Sequence, residues 1–194
     1  MAQNITLTNV GLVWPDGSTA LTGITGTFGA GRTGLVGSNG SGKSTLLEAL
    51  VHSVAPQPRR AGGVLFTERG GYLPQRLAGL DDAASVLENV RALAPSVPAG
   101  TVRNQLARFL LRGATVERAV NTLSGGERFR VALARLLLAD PPPQQLVLDD
   151  PTNNLDRQSV DQLVDALLGY SGALIVVNHD DAFWSGCTRR PRWC

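Results

Sequence analysis

The sequence predicts an α/β protein with a mostly parallel central sheet and a helical insert in the middle of the chain. Two continuous apolar runs, Leu146–Leu148 and Ala173–Val177, are typical of central strands that are buried on both faces. A helical pattern over about 157–168 separates them and would supply the crossover between parallel strands. This alternation of apolar strands with helices is the main reason for the predicted fold class.

The elements before the insert can be placed in order along the chain. Residues Ile5–Val10 alternate between apolar and polar, which indicates a half-buried strand, and Trp14–Gly17 has the composition of a turn. Thr33–Val36 is predicted as a short buried strand. Glycines follow this strand at once, and Ser44–Leu50 after them is predicted as a helix.

The middle of the chain changes from strand patterns to helix patterns. Pro56–Gly63 is predicted as a loop, and Val64–Phe66 and Tyr72–Leu73 are predicted as short strands. Three consecutive prolines, Pro141–Pro143, end the helical part before the apolar strands begin. Between Val86 and about Leu138 the pattern predicts helices that are broken by Pro95, Pro98, Gly100 and Gly113.

The composition favours one folded domain. The 194 residues are 43% hydrophobic and 18% charged, a balance that can fill a core and argues against a disordered chain. No apolar run is long enough to span a bilayer, and Met1–Thr6 shows no secretory pattern. Cys187 and Cys194 lie at the end of the chain, where they neither staple the fold nor make a metal set. We therefore expect a cytoplasmic protein with no direct membrane insertion.

One basic residue stands out against a strong bias towards arginine. The chain has 18 basic residues, and Lys43 is its only lysine. Lysine is a compact point charge on a slim stem, whereas arginine is a broad planar fork. A retained lysine therefore indicates a position where a guanidinium would not serve.

The surroundings of Lys43 predict a phosphate-binding loop. The stretch Gly37-Ser38-Asn39-Gly40-Ser41-Gly42-Lys43-Ser44 matches G-x-x-x-x-G-K-[ST] and lies between a predicted strand and a predicted helix. Its glycines would let backbone N–H groups wrap a phosphate, and the helix would add the positive end of its dipole. Lys43 would bridge the β- and γ-phosphates, and Ser44 would hold Mg²⁺. The loop 37–45, with Thr45 as its last residue, is therefore predicted to bind nucleotide, and an ordinary glycine-rich turn is the alternative.

Two adjacent acidic residues form a second candidate site. Asp149 and Asp150 close the run Leu146–Leu148, so they are predicted at the carboxyl end of a buried strand, the edge where open α/β sheets bind ligands. Two carboxylates at a buried strand tip are expensive to keep charged unless a cation or water satisfies them. We predict that Asp149 belongs to the Mg²⁺ shell and that Asp150 polarises the attacking water. A strand end followed by a capping acid is the alternative.

The stretch Leu123–Glu127 indicates which family of nucleotide-binding proteins the chain resembles. Alone, Ser124-Gly125-Gly126-Glu127 is an ordinary helix N-terminus with a polar cap and an acid in the first turn. Together with the loop 37–45 and the acidic pair, it resembles the signature motif of the ABC ATPases. The order along the chain matches that family throughout, with Gln75 before the signature, Asn153–Asp156 after the acidic pair and His179 last.

The resemblance implies the P-loop NTPase fold with an N-terminal antiparallel β part. It implies a RecA-like core over about 1–75 and 140–186 and a helical subdomain over about 76–139. The family usually continues further beyond His179 than this chain does, so the resemblance also predicts a truncated C-terminus.

The resemblance assigns roles to single residues. Trp14 looks like the aromatic residue that stacks on adenine, and Gln75 looks like the residue that reaches Mg²⁺ and the water. His179 looks like the switch histidine that contacts the γ-phosphate and orients the water. Asp156 would belong to the loop that communicates across a dimer, and Ser124–Gly126 would contact the γ-phosphate of ATP held by a second domain. A core tryptophan, a loop glutamine and a turn histidine are the alternatives.

Two stretches, Asp150–Asp156 and Leu123–Arg130, resemble the duplicated, transmembrane-free ABC-F ATPases, which act at the ribosome. This implies an ATP sandwich with a second ABC ATPase domain, either in a homodimer or as the missing half of a tandem chain. It also implies the ribosome or rRNA as a partner in translation or antibiotic resistance. The window 88–135 holds eight arginines against three glutamates, a net charge of +5 that suits rRNA contact and equally suits a solvated helical face.

One departure from the family pattern affects the chemistry. Asp150 stands where the family normally has glutamate, and its side chain is one methylene shorter. Because water polarisation depends on hydrogen-bond reach, we predict slow hydrolysis with nearly intact ATP binding. Two other functions stay open: the ATP-binding subunit of a transporter that docks a permease through the insert, and an ATP-gated clamp that hydrolyses slowly or not at all.

Overall fold

A computed structural model of the chain describes residues 5–13, 16–28, 31–38, 40–51, 70–153, 155–179 and 183–184. Trp14 and Asn39, both predicted to bind nucleotide, lie outside the described residues, as does the predicted strand Val64–Phe66.

The N-terminal part is an antiparallel β-hairpin. Strand β1 (Ile5–Val13) pairs with strand β2 (Thr19–Phe28), and the pairing has irregular register in its middle. The sequence patterns indicate only the first of these strands. The pattern misses β2 because Gly23 and Gly26 interrupt it, and glycine inside a strand weakens the strand pattern.

The central sheet has four strands in the spatial order β3-β6-β5-β4. These are β3 (Arg32–Leu35), β4 (Gly70–Leu73), β5 (Gln145–Asp149) and β6 (Ala173–Val177), and β6 pairs in parallel with both β3 and β5. Every residue of β5 and β6 is buried, which confirms the prediction of strands covered on both faces. The predicted parallel α/β fold is therefore confirmed.

The prediction of a buried strand through Val36 is wrong. The strand ends at Leu35, and only intermediate and exposed residues make it up. Val36 is 76% exposed because the chain already turns there into the glycine-rich loop. An apolar run of four residues does not distinguish a strand from a strand end.

Five α-helices are found among the described residues: α1 (Lys43–Val51), α2 (Val86–Arg91), α3 (Ala99–Leu106), α4 (Gly125–Leu137) and α5 (Arg157–Gly169). Three short 3₁₀ turns connect α3 to α4, over 107–109, 113–117 and 120–122. Pro98 and Gly113 interrupt the helical part as predicted. Gly100 does not, because it lies in the first turn of α3. Within the described part of the chain, no helix combines the length and apolar character that a membrane span would require.

The chain divides into two compact units, each with its own buried residues. The first contains residues 1–72, 144–151 and 172–179, and the second contains 73–143, 152–171 and 180–194. In the first unit, the hairpin, α1 and the central strands share one apolar cluster formed by Leu7, Val10, Leu12, Leu47, Val147, Ile175 and Val177. This cluster fixes α1 against the sheet strands whose ends are considered below.

In the second unit, a buried amide organises the segment before α2. Asn89 is 3% exposed, and its Oδ1 accepts a hydrogen bond from the N–H of Asp81 at 2.8 Å. Its Nδ2 donates to the carbonyl oxygens of Asp81, Ala84 and Ser85 at 2.9, 3.4 and 3.0 Å. Both ends of the amide are thus satisfied, as a buried polar group requires.

We predict that Asn89→Asp lowers the free energy of unfolding by about 3 kcal/mol at neutral pH. A carboxylate keeps the acceptor but cannot donate to the three carbonyls, and it buries a charge among them. Urea unfolding measures the effect. The matched control is Asp161→Asn, the reverse change on an exposed position of α5, for which we expect less than about 0.5 kcal/mol. Equal stability of Asn89→Asp and the parent would contradict the role given to this amide.

Candidate functional site

The loop between β3 and α1 depends on two glycines in left-handed conformation. Gly40 has φ +79° and Gly42 has φ +85°, values that L side chains rarely adopt. The N–H of Ser41 donates to the carbonyl of Ser38 at 3.3 Å, and α1 begins at Lys43 directly after the second glycine. The loop is therefore a compact turn that ends on a helix N-terminus.

The Lys43 ammonium lies inside this loop. Its Nζ donates to the carbonyl oxygens of Gly37 and Ser38 at 2.8 and 2.7 Å, and it lies 3.5 Å from Oγ of Ser41. An anionic phosphate oxygen is a stronger acceptor than a carbonyl oxygen. The ammonium is thus placed where a phosphate in the loop would receive its hydrogen bonds.

Gly37 keeps the space around Lys43 open. A Cβ at position 37 would lie 3.2 Å from Oγ of Ser41, a tight approach, and 3.7 Å from Cδ of Lys43, an ordinary contact, so a side chain there would occupy the space beside the lysine. The first N–H groups of α1 have no acceptors within the helix, and the positive end of its dipole faces the same loop. These features of the chain fit a bound phosphate chain of a nucleotide.

The oxygen groups near the loop and the strand ends suit Mg²⁺. Ser44 is an exposed residue with a hydroxyl at the start of α1, and Asp149 is a residue with a carboxylate that is only 3% exposed. Magnesium is usually held by one or two carboxylates together with substrate phosphates and water, rather than by an all-protein cage. Among the residues that the structure describes, no group of three or more His, Cys, Asp or Glu residues could hold a metal.

Asp150 and His179 lie together at the carboxyl ends of β5 and β6. Nδ1 of His179 lies 2.8 Å from Oδ1 of Asp150, although the two residues are 29 positions apart in the sequence. The backbone N–H of Asp150 donates to the carbonyl of Val177 at 2.8 Å, which extends the strand pairing beyond β5. Asp150 itself has φ +45°, so the chain turns sharply at this residue.

The contact also determines which ring nitrogen of His179 takes part. A carboxylate only accepts hydrogen bonds, so Nδ1 is the donor and Nε2 is left for an incoming group. The His179 side chain is 47% exposed, whereas that of Asp150 is 14% exposed. The pair is therefore accessible from the histidine side.

The signature residues form the start of α4. Ser124 is the N-cap, its Oγ accepts a hydrogen bond from the N–H of Glu127 at 3.3 Å, and the Glu127 carboxylate accepts from the N–H of Ser124 at 2.8 Å. The Ser124 hydroxyl also donates to the same carboxylate at 2.9 Å, and the hydrogen bonds that it receives from the Ser124 backbone and side chain lower the pKa of Glu127. Gly125 has nothing within 4 Å of where its Cβ would be, so this first turn is open on that side.

Asp156 and Gln75, two further predicted residues, lie in the second unit. Asp156 is the N-cap of α5, and hydrogen bonds from Ser159 lower the pKa of its carboxyl group. A Cβ on Gly126 would lie 3.7 Å from Oγ of Ser159, which places the starts of α4 and α5 next to each other. Gln75 is exposed, two residues after β4.

Sequence reasoning missed one residue that supports the loop. The side chain of Leu21, on β2, packs against Gly42, and a Cβ on Gly42 would lie only 2.4 Å from its Cδ2. Nothing in the local pattern of β2 points to this contact, because the two residues are far apart in the sequence. The only available signal is the glycine itself, because glycine is used both where φ is positive and where another group approaches the backbone closely.

Comparisons with a family model and with known proteins indicate the same family. A family model described as "ABC transporter" matches residues 21–153. The chain is 40% identical over 147 residues to "Putative ATP-binding protein YdiF" of Bacillus subtilis, and 36% identical over 149 residues to "ATP-binding cassette sub-family F member 3" of Mus musculus. Each alignment covers 75% of this chain but only 22% and 20% of the two relatives, so the chain spans about a fifth of their length.

A solved structure shares the fold. The chain resembles a bacterial Atm1-family ABC exporter with ATP bound, with a TM-score of 0.79 and 21% identity. The match covers 94% of this chain and 36% of the exporter chain. At this level of identity, the likeness concerns the fold alone.

We predict that Gly42→Ala destabilises the protein more than Gly40→Ala does. Both changes place a side chain at a positive φ, which costs about 1–2 kcal/mol. Only the alanine at position 42 also collides with Leu21, so we expect about 1–3 kcal/mol more for it. Urea unfolding of both variants measures the difference. In a double-mutant cycle, Leu21→Ala should recover part of the extra loss at Gly42, and equal losses for the two glycines would contradict the contact.

Proposed function

The chain belongs to the ABC transporter family of ATP-binding domains, and from this membership we propose that it binds Mg-ATP on the loop 37–45 and hydrolyses it with the pair Asp150 and His179. The observation that carries the proposal is the 2.8 Å contact between Nδ1 of His179 and Oδ1 of Asp150. The contact holds two groups side by side: a carboxylate that can accept a hydrogen bond from an attacking water, and a ring that can contact the phosphate. Hydrolysis requires both.

ATP binding is assigned to the loop and to the lysine inside it. Gly37, Gly40 and Gly42 allow the backbone to approach the phosphates, and Lys43 exchanges its carbonyl contacts for phosphate oxygens. Ser44 and Asp149 would hold Mg²⁺, which neutralises the charge of the β- and γ-phosphates when bound. On the family resemblance alone, Trp14 is assigned to adenine stacking and Gln75 to the metal and the water.

The hydrolytic step is assigned to Asp150 and His179. One carboxylate oxygen of Asp150 is engaged by the histidine, and the other accepts a hydrogen bond from the attacking water. With a proton on each ring nitrogen, Nδ1 of His179 donates to Asp150 and Nε2 donates to a γ-phosphate oxygen. The water oxygen bonds to the γ-phosphorus in line as the bond from that phosphorus to the leaving oxygen of ADP breaks, and Asp150 takes the proton of the water. Because the aspartate is one methylene shorter than the glutamate usual in the family, its hold on the water is weaker and hydrolysis is slow.

A second domain completes each nucleotide site in this proposal. Ser124, Gly125 and Gly126 start α4 with an open first turn, and they would contact the γ-phosphate of ATP held on the other domain. The working form is then an ATP sandwich, made by two copies of this chain or by this chain and another ABC ATPase domain. In a two-fold symmetric dimer the same contacts occur twice, so each copy can complete the site of the other.

We further propose that the domain belongs to a cytoplasmic, ribosome-associated factor of the ABC-F type, acting in translation or antibiotic resistance. This is supported by the similarity to a sub-family F protein and by the ABC-F-like stretches Asp150–Asp156 and Leu123–Arg130. A transporter role with a permease as partner is the competing assignment. Pelleting with 70S ribosomes in the presence of a non-hydrolysable ATP analogue separates the two assignments.

We predict that Asp150→Glu raises the maximal hydrolysis rate about tenfold, since the longer side chain improves the hydrogen bond to the water. ATP affinity should stay within about twofold, because Asp150 does not belong to the phosphate loop. Phosphate release at saturating ATP and titration with a fluorescent nucleotide give the two quantities. Asp150→Asn serves as the control without a base and should be slower than the parent. A rate for Asp150→Glu no higher than the parent would sink the account of slow hydrolysis.

We predict that two inactive variants restore activity when mixed. Lys43→Met removes phosphate binding, and Gly125→Asp places a carboxylate against the partner's γ-phosphate at a position where a side chain meets nothing within 4 Å. A mixed dimer has one complete site, with an intact loop from one copy and an intact signature from the other.

An equal mixture should therefore regain about a quarter of the parent activity, since half of the dimers are mixed and each has one of two sites. Phosphate release by the mixture, compared with each variant alone at the same total concentration, is the measurement. A mixture that stays as inactive as its components would show that the sites are not shared between domains.

A further inference from the structure

A leucine occupies an unusual position in the helical part of the second unit. The segment 107–113, here called the tip, follows α3 and contains the first 3₁₀ turn, 107–109. Leu110 lies in it with φ +57°, a left-handed conformation that is unfavourable for a bulky residue. The residue is nevertheless 38% exposed, and among the described residues it is one of two large hydrophobic residues exposed to this extent.

Backbone hydrogen bonds on both sides of Leu110 hold it in this left-handed conformation. The N–H of Leu110 donates to the carbonyl of Ala107, and the N–H of Leu111 donates to the carbonyl of Leu106, each at 3.2 Å. This pattern closes the end of a helix, and glycine is the residue that takes the left-handed position without strain. A left-handed leucine that keeps more than a third of its surface exposed points to a use in binding.

Two arginines flank the leucine and give the tip its charge. Arg108 and Arg112 are both exposed, and Nε of Arg112 is held by the carbonyl of Ala107 at 3.0 Å. The nearby Arg103 is neutralised by Glu117, with Nη2 and Oε1 2.6 Å apart. Residues 99–116 contain no acidic residue, so the positive charge at the tip is not balanced by its own segment.

We propose that the tip is an RNA-binding element, in which Arg108 and Arg112 contact phosphates and Leu110 is an apolar wedge against ribose and base. Phosphate contacts by basic side chains supply most of the affinity for nucleic acid. Single apolar side chains, leucine among them, are used as wedges by proteins that bend or unstack nucleic acids. One leucine is too small for the apolar centre of a protein interface, which disfavours an acidic protein as the partner.

The RNA-binding role rests on the proposed function only for the identity of the RNA, which would be ribosomal. The experiment therefore has two parts, one with protein-free rRNA extracted from bacterial ribosomes and one with the intact 70S ribosomes. The variants are Leu110→Gly and the pair Arg108→Gln with Arg112→Gln. The matched control is the pair Arg91→Gln with Arg157→Gln, which removes the same charge from exposed positions outside the tip.

Filter binding measures the affinity of each variant for protein-free rRNA and so tests the inference. Leu110→Gly should weaken binding at least about fivefold while the thermal midpoint stays equal or rises, because glycine relieves the positive φ. The tip arginine pair should weaken binding about tenfold or more and reduce the slope of log K against log salt by about 1–2, as expected for two lost phosphate contacts. The control pair should stay within about threefold of the parent.

Several outcomes would overturn the inference. Binding of Leu110→Gly equal to the parent would do so, as would a lowered thermal midpoint, which would make Leu110 a packing residue. A loss by the control pair as large as that of the tip pair would leave only a diffuse charge effect. Tip-dependent binding to 70S ribosomes without binding to protein-free rRNA would assign the tip to a ribosomal protein instead.

Pelleting with 70S ribosomes in the presence of a non-hydrolysable ATP analogue tests the proposed function separately. If tip-dependent rRNA binding is found but the chain does not pellet with ribosomes, the ribosomal role fails and the RNA-binding tip stands. If the chain pellets and the tip variants pellet equally well, the ribosomal role stands and the tip inference fails.

Discussion

The parallel pairing of β6 with both of its neighbours is the constraint on which the candidate site depends. In this register Leu35 and Asp149 both pair with Val177, so the ends of β3, β5 and β6 lie in one row across the sheet. Neighbouring strands are about 4.8 Å apart, which brings together segments that are distant in the sequence. The phosphate loop, the acidic pair and His179 each begin within two residues of this row. A shift of one residue in either pairing would separate them.

The same row explains why much of the site can be predicted from the sequence. The strands β5 and β6 are continuous apolar runs, and the polar residues that follow them necessarily lie at one sheet edge once the strands are parallel. The loop motif carries its own requirements, glycine at positive φ and a lysine at a helix start, and the structure meets both at Gly42 and Lys43. Local patterns suffice where the chemistry is encoded in adjacent residues.

Other features follow from contacts between distant segments and leave no local pattern. Glycines interrupt the strand β2, and only its pairing with β1 identifies it as a strand. The packing of Leu21 against Gly42 joins that hairpin to the loop, and no periodicity in either segment indicates it. Val36 shows the reverse case, an apolar residue that the pattern places in a buried strand and the structure exposes at its end. In each case tertiary pairing, and not residue preference, decides the outcome.

The reciprocal hydrogen bonds between Ser124 and Glu127 have a consequence for assembly. They hold the first turn of α4 in its helical shape within a single copy of the chain, before any second domain is present. A surface that is already ordered gives up little conformational entropy when two molecules associate. In the proposed ATP sandwich, the affinity between domains would then depend on the bound nucleotide, because no free energy is needed to fold the docking surface. A domain built in this way is suited to reversible, ligand-timed pairing.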